Sequence, residues 1–206
     1  MARHVTIGGV SESIATPETA DPVQSLRELT VGEVRWLATP AGEAVLRNRT
    51  MEWARPIGEQ ASLIKENPLR QIYCFSADLD GGTTECFIKK YDESTLEGRV
   101  KRLVRDAAAR IEWNHTRHAE LQGVPVPPLM ACGVGRGVSY LLTESCLPAD
   151  DLDDHLDANG WSESIGIGLA ELLARAHRAG VLHRDLHAGN VLFRPGSGAG
   201  GAGRSW

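Results

Sequence analysis

"LHRDLHAGNVLF", residues 182–193, is the stretch whose reading decides the fold. It is a polar loop that sets a carboxylate, Asp185, and an amide, Asn190, in the spacing Asp-x-x-x-x-Asn. Its flanks are as telling as its content. Upstream lies "SESIGIGLAELLARAHRAG", the clearest helix of the chain. Ser162 is a good N-cap because its hydroxyl can accept from an unpaired first-turn amide. Ile165, Leu169, Leu172, Leu173 and Ala176 recur at three- and four-residue steps and make one apolar stripe. Gly180 then suits the position just past the helix end. Downstream, "VLF" reads as a short strand.

Working outward, the upstream half reads as β-rich. From Val31, "VGEVRWLA", a turn at "TPAGE" and "AVLRNR" read as a small hairpin or a lead-in. "ASLIKENP" is a short strand ending at Pro68. "LRQIYCFSA" and "TTECFIKKY" flank "DLDGG", so residues 69–90 read as a hairpin, because Asp-Gly tolerates the positive φ of a tight turn. The stretch "DESTLEGRVKRLVRDAAARIEWNHTRHAELQG" reads as one long helix. Val100, Leu103, Val104, Ala107, Ala108, Ile111 and His115 share a face, and Gly123 and Pro125 end it. A second hairpin spans about Leu129–Cys132 and Val138–Thr143 across "GVGRG". "CLPADD" is a crossing segment, followed by a short helical turn near residues 151–157. The order is strands, one long helix, a hairpin, a crossing, a helix and a polar loop. Strands do not alternate with crossover helices, which excludes a doubly wound sheet. The expected class is α+β: a β-rich lobe with one long helix, then a helical lobe.

The totals fit this reading. The chain has 206 residues, 42% hydrophobic and 24% charged, enough for a core and against wholesale disorder. A net charge of −5 gives no support for nucleic acid as a general partner. Cys74, Cys86, Cys132 and Cys146 form no CxxC pair, which argues against zinc and fits a reducing compartment. No run of about 18 apolar residues and no signal-peptide core is present, so the expected location is cytoplasmic and membrane contact is at most peripheral.

Phosphoryl transfer needs a carboxylate to orient the acceptor hydroxyl, cations on the phosphates and ligands for magnesium. Asp185 and Asn190 have the spacing by which a kinase loop places its base and a metal-binding amide. His183 reads as structural and Arg184 carries no assigned role. His187 reads either as an acceptor-site residue or as loop packing.

"HRDLHAGNVLF", with "CFIKKYD", "IEW", "GVPVPP" and "SYLLTE" upstream in that order, resembles the lipopolysaccharide kinase family that phosphorylates Kdo or heptose sugars. The resemblance spans about residues 62–193. It implies a protein-kinase-like bilobal fold, ATP and Mg2+ as cofactors, and a sugar hydroxyl as acceptor. Residues 1–30 read from their composition as a poorly ordered lead and 194–206 as a disordered glycine-rich tail; under the resemblance 31–143 are the N-lobe and 144–193 a partial C-lobe. The resemblance makes Asp185 the residue that orients the acceptor hydroxyl, Asn190 a metal ligand, and Lys89 the strand lysine that holds nucleotide phosphates. Strand alternation puts Lys89 and Lys90 on opposite faces, and the resemblance selects Lys89. It selects Glu112 as the partner of Lys89, over Glu97 and Glu120, and sets Glu144 and Cys146 beside the adenine pocket. No G-x-G-x-x-G precedes Lys89, and "IKENPLRQ" stands in its place. The family tends to lack that pattern as well.

The tail "RPGSGAGGAGRSW" contains no Asp or Glu, so no metal-binding aspartate follows "VLF". The expectation is a truncated or frame-shifted chain of impaired activity, with a partly exposed stripe on residues 162–179 that favours aggregation or dimerisation. Two other readings remain at this stage. One is a nucleotide-binding pseudokinase or scaffold. The other is an aminoglycoside- or choline-type or RIO-like kinase, which shares the Asp-x-x-x-x-Asn arrangement.

Overall fold

The structure, a computed structural model, describes residues 25–48, 61–79, 82–95, 98, 102, 104–146, 149–181 and 186–193. Asp185, with His183 and Arg184, lies outside the described residues, as do Asp80–Gly81, Glu97, Val100, Leu103 and the tail 194–206.

A seven-stranded sheet organises the first part of the chain. Its strands are β1 (Arg27–Val31), β2 (Val34–Ala38), β3 (Ser62–Asn67), β4 (Arg70–Leu79), β5 (Gly82–Asp92), β6 (Leu129–Gly135) and β7 (Val138–Glu144). They lie in the order β1-β2-β6-β7-β5-β4-β3, and every neighbouring pair is antiparallel. Two helices cover the two faces. Helix α1 (Pro40–Asn48) sets Val45 and Leu46 against Trp36, Tyr73, Phe75, Ile88, Met130 and Tyr140. On the opposite face, α2 (Ala108–Leu121) sets Ala109 and Trp113 against Leu129, Cys132 and Leu141. Period-two alternation sorts β5 between them. Cys86 and Ile88 enter the α1 core, whereas Tyr91 packs on the α2 cluster. Trp36 and Tyr140 stack at 5.6 Å, which adds about 0.5–1.5 kcal/mol beyond their burial.

The second part is smaller. Helix α3 (Leu152–Asn159) starts at Asp151, whose side chain accepts from the Asp154 amide at 2.8 Å. Helix α4 (Glu163–Arg178) starts at Ser162, whose hydroxyl accepts from Ile165 N, the expected N-cap. A 3-10 turn, Ala188–Asn190, leads to β9 (Leu192–Phe193), which pairs with β8 (Asp150–Asp151). Along the α4 stripe Ile165 is buried, and Leu169, Leu172, Leu173 and Ala176 are half-buried.

Three expectations need correction. First, the opening hairpin turns earlier. Val31 pairs with Val34 across Gly32–Glu33, with Gly32 at φ 59, a conformation that favours glycine. β1 thus begins at Arg27, inside the stretch read as loosely ordered. "TPAGE" is a helix start rather than a turn, and "AVLRN" is helical rather than extended. Thr39 Oγ1 accepts from Gly42 N at 3.1 Å, and Pro40 follows at the first helical position, where its missing amide costs nothing. Second, the long helix is interrupted: Gly98, Arg102 and Val104 are helical, but residues 105–107 are not. Its regular part begins at Ala108, after Ala107 takes an extended ψ of 145. Third, the buried face has a different phase. Val104 is 83% exposed and His115 is exposed, while Ala109, Trp113 and Ala119 are buried. Trp113, the largest apolar side chain, sets the phase.

The start of α2 is held by groups distant in sequence. Buried Glu93 accepts from Ala108 N at 2.9 Å, and buried Ser139 accepts from Ala109 N at 3.3 Å. These bonds satisfy first-turn amides that local caps usually serve. They also fix the helix on β7 and so position its next turn, which carries Glu112.

Candidate active site

Lys89 leaves β5 on the α2 face. Its Nζ donates to Glu112 Oε1 at 2.5 Å. The strand lysine and the helix glutamate singled out by sequence thus meet, with side chains 30% and 32% exposed. Lys90 leaves on the other face, where with Tyr140 and Asp92 it borders a cavity of about 230 Å³.

The second oxygen of Glu112 is also held. Tyr91 Oη donates to Glu112 Oε2. The carboxylate is therefore gripped by a cation on one oxygen and a phenol on the other, both from β5, which fixes its rotamer. Burial by itself would raise the pKa of Glu112. The Lys89 ammonium, its hydrogen bond, the Tyr91 hydroxyl and the Arg70 guanidinium outweigh burial and hold it below the ordinary carboxylate range. The Tyr91 hydroxyl moves the other way: burial and the Glu112 charge push it up, so it stays a proton donor. Sequence reasoning missed Tyr91 and Arg70. The signal existed, because Tyr91 is two residues past Lys89 and so shares its face, and Arg70 is the register partner of Tyr91.

Glu144 ends β7 opposite Cys86, which places its side chain on the α1 face, away from Lys89. Its amide donates to Pro128 O at 3.0 Å, and the next amide, Ser145 N, donates to Glu85 O at 2.8 Å. Cys146 is buried. Glu120, the competitor of Glu112, pairs instead with Arg117 at 2.5 Å.

Asn190 closes the 3-10 turn, and its amide N donates to His187 O at 2.9 Å. The β8–β9 pair and a ring contact between His155 and Phe193, with centroids 4.0 Å apart, anchor this turn to α3. Gly189 is tight against Asp153: a methyl group there would lie 3.1 Å from its carboxylate. Among the described residues no three His, Cys, Asp or Glu side chains converge as a metal site. No helix among them is long and apolar enough to cross a membrane.

Residues 56–204 match the model of the "Lipopolysaccharide kinase (Kdo/WaaP) family". A 3-deoxy-D-manno-octulosonic acid kinase of Xanthomonas euvesicatoria pv. vesicatoria (strain 85-10) is 43% identical over 93 residues, 41% of this chain and 35% of that protein. A protein of the same name from Xanthomonas campestris pv. campestris (strain B100) is 40% identical over the same shares. One from Xylella fastidiosa (strain M12) is 33% identical over 100 residues, 47% of this chain and 37% of its own length. The matched segment thus spans about a third of these relatives.

Proposed function

Because the chain belongs to the lipopolysaccharide kinase (Kdo/WaaP) family, we propose that it is an ATP-dependent phosphotransferase whose acceptor is a sugar hydroxyl of the Kdo or heptose type. The observation that carries this reading is the Lys89–Glu112 ion pair, fixed by Tyr91 on the second carboxylate oxygen. A lysine held this way presents its charge at a set point, which is what positioning a phosphate requires. In this reading β1–β7 with α1 and α2 form the N-lobe of a kinase-like bilobal fold, residues 31–143 in the main. Residues 144–193 belong to the second lobe. Glu144 and Cys146 border the adenine through backbone groups. The nucleotide requirement fits a cytoplasmic location.

Each residue has one task. Lys89 holds the α and β phosphates, and Glu112 orients Lys89. Asp185 orients the acceptor hydroxyl and takes up its proton as the oxygen attacks the γ-phosphorus. The side-chain oxygen of Asn190 is a hard donor of the kind magnesium takes. Magnesium, when bound, neutralises phosphate charge. No step is assigned to it.

The test is transfer of labelled γ-phosphate from ATP to a Kdo-terminated lipid, with a heptose-terminated lipid alongside. Incorporation is expected, and Asp185→Asn is expected to lower it by about 10²–10⁴. Incorporation unchanged in Asp185→Asn, or absent from both acceptors, contradicts the reading.

A further inference from the structure

The α2 face of the sheet carries more positive charge near the β3–β4 turn than Glu112 can neutralise. Lys65 on β3 stands opposite Ile72 on β4, and Ile72 stands opposite Lys89 on β5. One step along, Asn67 stands opposite Arg70, and Arg70 opposite Tyr91. Directly paired residues project to the same face, so Lys65, Arg70 and Lys89 share the face that holds Glu112.

Lys65 reaches that face through an irregularity. The register steps from Leu63↔Tyr73 to Lys65↔Ile72, leaving Ile64 as an extra residue. An unbroken ladder would set Lys65 opposite Gln71 and turn it toward α1. Glu66 occupies that position instead, accepting from Gln71 Nε2 at 2.6 Å. A bulge is a known means of re-aiming a side chain. Here it sends a cation to the Lys89 face and an acid to the other.

The turn itself cannot do what a glycine-rich turn does. Such turns cradle phosphates with free backbone amides. Pro68 has no N–H. The Leu69 amide is taken by Asn67 Oδ1 at 3.0 Å, and the Leu69 carbonyl accepts from Asp92 N at 3.0 Å. The anion-binding capacity at this end of the sheet therefore lies in side chains. Arg70 also reaches the phenol of Tyr91 and acts electrostatically on Glu112, the two groups that hold the Lys89 ion pair.

We propose that Lys65, Arg70 and Lys89 form a side-chain clamp for the polyphosphate of a nucleotide, standing in for the backbone amides of a glycine-rich turn. This rests on the reading of Lys89 as the nucleotide lysine. Arg70 is the strongest member, because a guanidinium can engage two phosphate oxygens at once. Lys65 is exposed and contributes less.

The test is calorimetric titration of the whole chain with ATP, adenosine and tripolyphosphate. Arg70→Gln is expected to weaken ATP about tenfold, the effect of one charge-assisted contact. Lys65→Gln is expected to weaken it about threefold. Adenosine affinity stays constant in both, and Lys90→Gln on the opposite face changes nothing. Tripolyphosphate competes with ATP less well against Arg70→Gln than against the native chain. Arg70 engages Tyr91 and acts electrostatically on Glu112, so its substitution can disturb folding. Lys65→Gln touches neither and keeps the test decisive. Native ATP affinity in both Lys65→Gln and Arg70→Gln, with loss in Lys89→Gln, overturns the clamp and leaves the nucleotide site. Native affinity in Lys89→Gln as well overturns both. An equal loss of adenosine and ATP also overturns the clamp, since it would signal a general distortion.

Discussion

Replacing Glu112 by glutamine keeps the volume of the side chain and removes its charge. In the native structure its two oxygens accept from Lys89 Nζ at 2.5 Å and from Tyr91 Oη. Glutamine has one carbonyl oxygen, so only one of these donors keeps an acceptor, and the other faces an N–H. The loss is one charge-assisted hydrogen bond, about 1.5–3 kcal/mol. An exposed ion pair contributes about 0–1 kcal/mol, and breaking a buried one costs about 3–5 kcal/mol. With both side chains about 30% exposed, the estimate is near 2 kcal/mol. For a chain of this size that lowers Tm by about 4–8 °C. The pH dependence follows from the depressed pKa of Glu112, whose charged form is held chiefly by Lys89 against the opposing effect of burial. A carboxylate with a lowered folded-state pKa contributes stability above its unfolded value, and that contribution is lost as pH falls through the folded value. The gap between native protein and Glu112→Gln should therefore be full at neutral pH. It should begin to close only below the ordinary glutamate range, about 4.3. Paired thermal melts across that window measure it. A loss under about 0.5 kcal/mol at neutral pH, or a gap constant through the acid range, would refute the assignment of Glu112 as the charged anchor.

Two other expectations follow from the packing and the thiols. A methyl group on Gly42 would lie 2.0 Å from the Met130 carbonyl oxygen, which Thr39 also engages from its amide at 2.9 Å. Gly42→Ala should therefore separate α1 from β6 and cost at least about 1–3 kcal/mol in urea unfolding, despite the better helix propensity of alanine. Burial pushes the thiol of Cys132 up to about 12, and burial with the Glu85 hydrogen bond pushes Cys74 up to about 11. Both should resist a thiolate-selective reagent near pH 8 in the folded protein and react after denaturation. Rapid native labelling of Cys132 would show that α2 does not stay closed on β6.

The sequence carries the site more clearly than it carries the fold around it. Lys89 and Glu112 are singled out by the family resemblance, since strand alternation alone only sets Lys89 and Lys90 on opposite faces and the helix region offers Glu97 and Glu120 as well. The N-cap at Ser162 and the β4–β5 hairpin rest on equally local rules. The start of α2 was not legible, since its capping groups, Glu93 and Ser139, come from the residue just after β5 and from β7. Nothing near Ala107 announces them. Helix α1 was legible in principle: a threonine followed by proline is a helix start, but it reads equally well as a turn between strands. The bulge at Ile64 leaves no trace in a period-two pattern, so Lys65 could not be assigned a face from sequence. Asp185 is the reverse case, plain in the motif and outside the described residues.

The most direct test of the central claim is to treat the whole chain with a lysine-reactive acyl-phosphate of ATP and map the modified residue by mass spectrometry. The nucleotide-lysine assignment predicts acylation of Lys89, suppressed by excess ATP. Modification of Lys90 on the opposite face, or labelling of Lys89 that ATP does not suppress, would contradict it.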